Sequence, residues 1–470
     1  MNPPSQVRET GLPWIPEIPS HWGVKRMKLI LREVDSRSVV GSEVLLSVSQ
    51  YTGVLPRKNR ERSDEQDSRS ESLIGYKKVT KGDLVVNIML AWNGSLGVSN
   101  FDGVVSPAYC VYRLDGDNHP EYFHHLLRTD AYKGRIKVDS RGVVDSRLRL
   151  YSDSLFRIEV PVPPASEQQQ IARFVRTVDS KVNRLIKAKL RLIELLNEQK
   201  QAIIHRVVTR GLDSTVPLKP SGIDWLGDIP IHWRVLPLKR WVSTKITDGP
   251  HETPEFLDSG VDFVSAEAMV NGKIDFSRRR GFISTELHER YCQKCRPQRN
   301  DIFMCKSGAT TGKVSIVETD AEFSVWSPLA LIRTDSSKVN PHLLFRVLQS
   351  SYVMEQVRDS WTYGTQPNLG MAKMERIFIA LPDAREQEHI LQFLESEMRP
   401  FEDASAKALA EIDLIREYRT RLVADVVTGQ LDVRHLDLPE IEDTLIESIE
   451  STDVEVDVDE TDDILEEAEV

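Results

Sequence analysis

The sequence predicts an α+β fold in which two similar β-rich domains are joined by two long antiparallel α-helices with pseudo-twofold symmetry. Three repeated phrases predict it. Gly11-Leu-Pro-Trp14-Ile-Pro-Glu-Ile-Pro19-Ser-His21-Trp22 returns as Gly222-Ile-Asp-Trp225-Leu-Gly-Asp-Ile-Pro230-Ile-His232-Trp233. Pro163-Pro-Ala-Ser-Glu167-Gln168-Gln-Gln-Ile171 returns as Pro382-Asp-Ala-Arg-Glu386-Gln387-Glu-His-Ile390, and Val207-Val-Thr209-Arg-Gly-Leu-Asp213 as Val426-Val-Thr428-Gly-Gln-Leu-Asp432. A chain that carries a whole domain and a long helix twice presents two related surfaces to its ligand, which implies a ligand with two related sites.

The first domain opens on the Trp/Pro/His/Trp phrase and continues through strand-like runs at Val44–Val48, Leu84–Met89, Val104–Val105 with Tyr109–Tyr112, and Phe156–Val160, bounded by Gly, Asp and Pro. The second repeats the pattern at Val261–Val264, Asp301–Met304, Val314–Val317, Leu329–Ile332 and Ile377–Ala380. Short helical runs, Glu121–Ala131 and Pro341–Val357, lie between strands, with prolines placed to start them. The expected divisions are residues 1–165 and 211–383 for the two domains, 166–210 and 384–432 for the two helices, and 433–470 for a disordered acidic tail.

From Glu167 onward, Ile171, Val175, Val178, Val182, Leu185, Lys189, Leu192, Leu196, Gln199 and Ile203 step alternately by four and three, a heptad seam. Glu167 to Thr209 would reach on the order of 60 Å as helix. The second copy is less regular: Leu409, Ile412, Ile415, Tyr418, Leu422 and Val426 continue a stripe that Pro400 should break or kink. Two such helices bury their stripes against each other and act as a spacer between the domains.

Composition bounds the function. The chain of 470 residues is 40% hydrophobic and 28% charged, with four cysteines, enough for two or three cores and too few thiols for a disulfide framework. It has no bilayer-spanning apolar run and no apolar leader in its first ten residues, so a cytoplasmic protein with no membrane partner is expected. The formal charge of −11 is concentrated: 16 carboxylates and no Lys or Arg lie between Asp437 and Val470. Removing those 16 from the chain's 72 leaves the 61 Lys and Arg in slight excess, so the body can carry positive patches. The tail is read as solvated, the alternative being a mimic of nucleic-acid charge.

Catalytic motifs are sparse. Gly308-Ala-Thr-Thr-Gly312-Lys313-Val314 has three residues between its glycines and Val after the lysine, where a nucleotide-binding loop has four and then Ser or Thr; a strand-to-strand turn facing phosphates fits better. Asn2-Pro-Pro-Ser5 is similar to the Asn-Pro-Pro-aromatic motif of adenine methyltransferases but lacks the aromatic that stacks on a flipped base. Cys292-Gln-Lys-Cys295 with His288 and Cys305 is an incomplete zinc pattern, and unligated thiols are expected. His21 and His232, each between Pro and Trp, are read as structural corners. No metal and no cofactor are assigned to this chain, which is read as non-catalytic.

Recognition remains. Arg57, Lys58, Arg60, Lys77, Lys78, Arg141, Arg147, Arg278 and Arg279 place cations in loops of both domains. Trp92, Asn93 and Ser95 in one domain, and Tyr363, Thr365 and Gln366 in the other, mix aromatic, hydroxyl and amide groups beside glycine, as do Ser307, Thr310, Thr311 and Lys313 around the glycine turn. Lys and Arg supply phosphate affinity, whereas Arg, Asn, Gln, Ser and Thr read base edges.

With its three phrases recurring in the same order, the chain resembles, from residue 11 to about 434, the DNA specificity subunit of type I restriction-modification systems. The resemblance implies that the two domains are target recognition domains, each reading one half of a split, asymmetric site in double-stranded DNA. It implies that the long helices form a spacer that docks two modification subunits, which would bring S-adenosylmethionine and adenine N6-methylation. Restriction subunits would bring ATP- and Mg2+-dependent translocation and cleavage, for a role in phage defence. The rivals are a stand-alone bivalent DNA-binding regulator, which needs no partner, a structural adaptor, which would lack the steep salt dependence of DNA binding, and an enzyme fusion.

Overall fold

A computed structural model describes residues 2–57, 72–144, 147–361 and 367–439. The described chain divides into two compact units, one formed by the residues up to Lys187 with those from Glu411 to Pro439, the other by Ala188–Ala410. Each of the two long helices therefore contributes one half to each unit.

The first unit opens on an antiparallel hairpin, Val7–Leu12 with Ile15–Pro19. Ile15, Ile18 and Trp22 of the repeated phrase point inward. Strand Gly23–Arg26 then pairs antiparallel with Glu159–Val162, closing the domain at its base. The central sheet is antiparallel in the order Leu31–Val34, Cys110–Leu114, Leu84–Val86, Leu96–Val98. Beside it lie a pair, Lys77–Val79 with Gly103–Val105, and a hairpin, Leu46–Ser49 with Gly53–Pro56. Strand Leu84–Val86 is buried on both faces, which explains its continuous apolar run.

The second unit repeats this plan. Hairpin Leu218–Pro220 with Asp228–Pro230 leads to strand Arg234–Pro237, paired with Phe378–Leu381. Its four-stranded sheet has the order Thr247–Asp248, Leu329–Ile332, Ile302–Cys305, Val314–Ile316. The flanking layer shares a parallel contact, Val261–Val264 with Phe323–Val325 here and Leu45 with Val104 in the first unit, but differs in that Gly281–Ile283 pairs antiparallel with Val261–Val264.

Each expected short helical run is a pair of helices. Pro120–Leu127 is followed by Asp130–Asp139, whose start is capped by the Thr129 side chain accepting from the Tyr132 amide. Pro341–Leu348 and Ser351–Asp359 repeat the arrangement, with Asn340 capping the first by accepting from His342 N. In the first run a capping residue, Thr129, starts the second helix inside the run.

The long helices run Ala165–Arg210 and Ala384–Val427. In the first unit Ile171, Phe174 and Val175 pack with Leu422, Val423, Val426 and Val427, and Arg419 forks onto Asp179 at 2.8 and 3.0 Å. In the second, Ile204, Val207 and Val208 share a core with Ile390, Leu391 and Leu394, while Lys200 reaches Glu402 at 3.7 Å. Within each unit the earlier part of one helix meets the later part of the other, so the two run antiparallel.

Two expectations about these helices are corrected. The heptad seam holds at Ile171 and Val175, which are buried, and Val178, Val182, Leu196 and Ile203 are half-buried, but Leu185 and Leu192 lie 45% and 42% exposed. The inward positions are instead Ile186, Leu190, Ile193, Lys200 and Ile204. Two successive steps of four, Val182 to Ile186 to Leu190, move the contact face on by one position, after which the four-and-three spacing resumes. In the second helix Ile412 and Leu422 are buried and Leu409 and Ile415 half-buried, but Tyr418 is exposed and Ala408 takes the inward place beside Leu409.

Pro400 does not end the second helix. It is exposed, so the Ser396 carbonyl that loses its partner lies on the solvent side, while Met398 and Ser405 on either side are buried. Packing outweighs a penalty of about 3 kcal/mol.

The chain past the second helix wraps back onto the first unit: Asp432 N donates to Asn2 O at 3.0 Å, and Gln170 Nε2 donates to the carbonyls of Val433 and Leu436 at 3.3 and 2.8 Å. Val433 is buried and Leu436 and Leu438 pack on the core, so residues 433–438, assigned above to the acidic tail, belong to the folded unit. Residues 440–470 lie outside the described residues.

Candidate nucleic-acid interface

The repeated phrases meet in space within each unit. His21 Nε2 contacts Glu167 Oε2 at 2.7 Å, and His232 Nε2 contacts Glu386 Oε2 at 2.6 Å. The neighbouring glutamines act as clamps. Gln168 accepts from His119 N at 2.8 Å and donates to Pro163 O at 2.9 Å; Gln387 accepts from Asn340 N at 3.0 Å and donates to the carbonyls of Pro382 and Lys338 at 3.0 and 2.9 Å. Each ties the start of a long helix to the start of a short one. Trp233 donates to Glu386 Oε1 at 3.1 Å. The phrases thus build the frame that aims the variable segments, and the histidines are the structural corners expected of them.

The glycine turn joins antiparallel strands Ile302–Cys305 and Val314–Ile316, as expected, whereas a phosphate loop leads from a strand into a helix. Thr311 is buried and donates to Gly308 O at 2.7 Å, Thr310 is exposed beside the Cys305 thiol, and Ser307 and Lys313 are half-buried. Burial pushes the Cys295 thiol up to about 12 and raises those of Cys292 and Cys305. Among the described residues no group of three or more His, Cys, Asp or Glu has metal-binding geometry; His288 Nδ1 pairs instead with the Ser324 hydroxyl at 2.9 Å.

The remaining recognition candidates fall into three groups. Arg57, Arg141 and Arg147 are exposed, Arg141 pairing with Asp153 and lying 5.9 Å over the Tyr151 ring. A second group is engaged within the fold. Lys77 is buried and 3.9 Å from Asp35, Lys78 is 3.4 Å from Glu43, and Ser95 is buried with its hydroxyl on Asn93 Oδ1 at 3.0 Å. Trp92 donates to Met89 O at 3.2 Å beneath Lys137, 5.0 Å from its ring. Arg278 is 3.8 Å from Asp275, and Arg279 is 3.2 Å from Asp262 and 4.3 Å over Phe282. The third group, Lys58, Arg60, Tyr363, Thr365 and Gln366, lies outside the described residues.

A groove of about 890 Å3 in the first unit brings together residues that motif reading did not single out. It is lined by Arg176, Arg419 and Arg421 from the two long helices and by the hairpin tip Gln50-Tyr51-Thr52. His124 and His125 line it edge to face, their centroids 5.0 Å apart. Burial drives the His125 imidazole down to about 4 and that of His124 well below the ordinary range. The signal available in the sequence was a Gln-Tyr-Thr-Gly run between two short apolar stretches, the mark of a hairpin tip.

No helix among the described residues is long and apolar enough to cross a membrane. The sequence model of the family described as type I restriction modification DNA specificity domain matches residues 58–195 and again 251–412, one match in each half of the chain. The MjaVIII type I restriction enzyme specificity subunit of Methanocaldococcus jannaschii is 23% identical over 374 residues, spanning 77% of this chain and 83% of the relative. The EcoBI specificity subunit of Escherichia coli is 24% identical over 375 residues, 74% of this chain and 77% of that one. Among solved structures, a chain from work on complex assembly and conformational transition of the type I R-M system superposes with a TM-score of 0.55 at 16% identity, covering 88% of this chain and 99% of that one, which shows a common fold. The chain belongs to the type I restriction modification DNA specificity domain family.

Proposed function

We propose that this chain, a DNA-recognition subunit of the type I restriction-modification class, reads a bipartite, asymmetric site in double-stranded DNA, one half with each unit. The observation that carries this reading is the repeated frame holding unlike surfaces. The His–Glu corner and the glutamine clamp recur in both units, whereas the strands beside the central sheets differ: Lys77–Val79 pairs with Gly103–Val105 in the first unit, and Gly281–Ile283 with Val261–Val264 in the second. A common frame with different reading faces recognises two different base strings.

In this proposal the helices dock two modification subunits, which would carry S-adenosylmethionine and methylate adenine, and the assembly admits ATP- and Mg2+-using restriction subunits. Leu185, Leu192 and Leu195 on the first helix, and Leu414 and Tyr418 on the second, are exposed apolar groups, which suits a protein-docking role. The chain itself supplies recognition and spacing and no chemical step.

Exchanging residues 24–160 for the matching segment of another family member tests the reading. One half of the recognised site should change while the other half and the gap stay as they were. A change in both halves would contradict it.

A further inference from the structure

Arg128 is a half-buried cation whose guanidinium is enclosed by main-chain carbonyls. Its two terminal nitrogens donate to Ser49 O, Gln50 O and Tyr51 O at 3.3, 2.9 and 2.5 Å, and to Gly94 O and Leu96 O at 3.1 and 2.8 Å. One side chain thereby knots the hairpin tip to the Trp92–Gly94 turn. Desolvating a guanidinium is costly, and the cost is tolerated where the hydrogen bonds it makes fix a geometry. Burial lowers the Arg128 pKa to about 10, so the group remains a cation at neutral pH.

The tip sits close on its support. Gly53 has φ +85°, and a Cβ there would come within 2.8 Å of His124 Cε1. His124 Nδ1 accepts from Val98 N at 3.1 Å, holding the adjoining strand to the same helix. What the tip presents outward is Tyr51, 66% exposed, flanked by Gln50 and Thr52. A carboxamide offers a donor and an acceptor side by side, as adenine does in the major groove, and a Thr methyl suits the thymine methyl. Lys133 and Lys137 follow on one face of the neighbouring helix, beside Gly94 and over Trp92, where they suit flanking phosphates.

The second unit has a hairpin at the same place with other chemistry. Its tip is Asn271-Gly272, both at positive φ, between Met269–Val270 and Lys273–Ile274. A Cβ on Gly272 would meet Phe345 Cζ at 2.7 Å and Gln349 Nε2 at 3.6 Å. Counted from the helix-starting prolines Pro120 and Pro341, Phe345 and Gln349 occupy the places of His124 and Arg128. The seat is shared and the tip is not, as unlike half-sites require.

We propose that the Gln50-Tyr51-Thr52 tip reads base edges in one half-site and that Arg128 is its positioning residue. This rests on the DNA-reading function proposed above. The test is enrichment of a random-sequence DNA duplex pool by the full chain in complex with its modification subunits, followed by affinity and salt dependence on the enriched duplex.

Gln50→Ala and Tyr51→Ala should relax discrimination about tenfold at one or two positions of a single half-site, and Tyr51→Ala should leave the melting temperature unchanged because that side chain is exposed. Lys133→Ala should weaken all duplexes alike and reduce the salt slope by about one. Arg128→Gln should lower the ratio of specific to nonspecific affinity, with partial recovery in Arg128→Lys. Wild-type discrimination retained by both Gln50→Ala and Tyr51→Ala overturns the proposal and leaves the DNA-reading function standing, whether or not the Arg128 variants fold. A wild-type complex that enriches no motif overturns that function and this proposal with it.

Discussion

His21 and Glu167 stand 146 positions apart and meet at 2.7 Å, with the Glu167 side chain only 8% exposed. The contact locks the opening phrase onto the first turn of a long helix, and His232 with Glu386 does the same in the second unit. Glu167→Ala removes a buried acceptor, and because His21 is partly open to water the loss should be about 1 kcal/mol. Glu386→Ala also removes the acceptor of Trp233 Nε1 and should cost at least as much. Thermal melts of each variant check this, and unchanged melting in both would show that the corners do not hold the frame.

The two helix ends make a paired prediction about glycine. Gly211 and Gly429 have φ of +72° and +80°, a conformation that costs an L-residue about 1 kcal/mol. A Cβ on Gly211 meets the end of the Glu386 side chain at 3.0 Å, whereas one on Gly429 would lie 2.4 Å from Pro19 Cδ and 3.0 Å from the Trp22 ring. Gly211→Ala should therefore lose about 1 kcal/mol, and Gly429→Ala clearly more, since a proline ring cannot swing aside. Equal losses in denaturant unfolding would contradict the tight fit at Gly429.

Pro400 supplies a prediction of opposite sign. Because the helix continues through it, Pro400→Ala restores a backbone donor without disturbing the buried face. Stability should rise by up to about 3 kcal/mol. A fall in melting temperature would mean that the ring itself is needed there.

Acid should loosen the first unit through His125. The imidazole binds its proton near the ordinary 6.5 in the unfolded chain and only near 4 in the fold. Below 6.5 the unfolded chain takes up more protons, so stability declines as pH falls through this window and the loss levels off near 4. His125→Gln should flatten the slope of melting temperature against pH between 6.5 and 4. An unchanged slope would place the acid sensitivity elsewhere.

The duplication was legible because the frame is built from local phrases with fixed spacing, and strands such as Leu84–Val86 were legible because both faces are buried and the run is wholly apolar. The heptad reading placed Leu185 and Leu192 inward because it carried one register through the whole helix, whereas the contact face shifts by one position to Ile186 and Ile193. The continuation of the helix through Pro400 was not legible, because local propensity says nothing of the packing on either side. The pairing of His21 with Glu167, the return of Asp432 to Asn2 and the five carbonyls around Arg128 are long-range contacts with no local pattern. The hairpin tip was passed over because Gln, Tyr and Thr form no functional motif until the fold sets them along a groove.

The most direct test of the central claim maps modified adenines in DNA from cells that carry this chain with its modification subunits. Two reading units held in one polypeptide predict a split motif, two unlike half-sites around a fixed unspecified gap, with a methylated adenine in each half. A single uninterrupted motif, or two identical halves, would contradict the account.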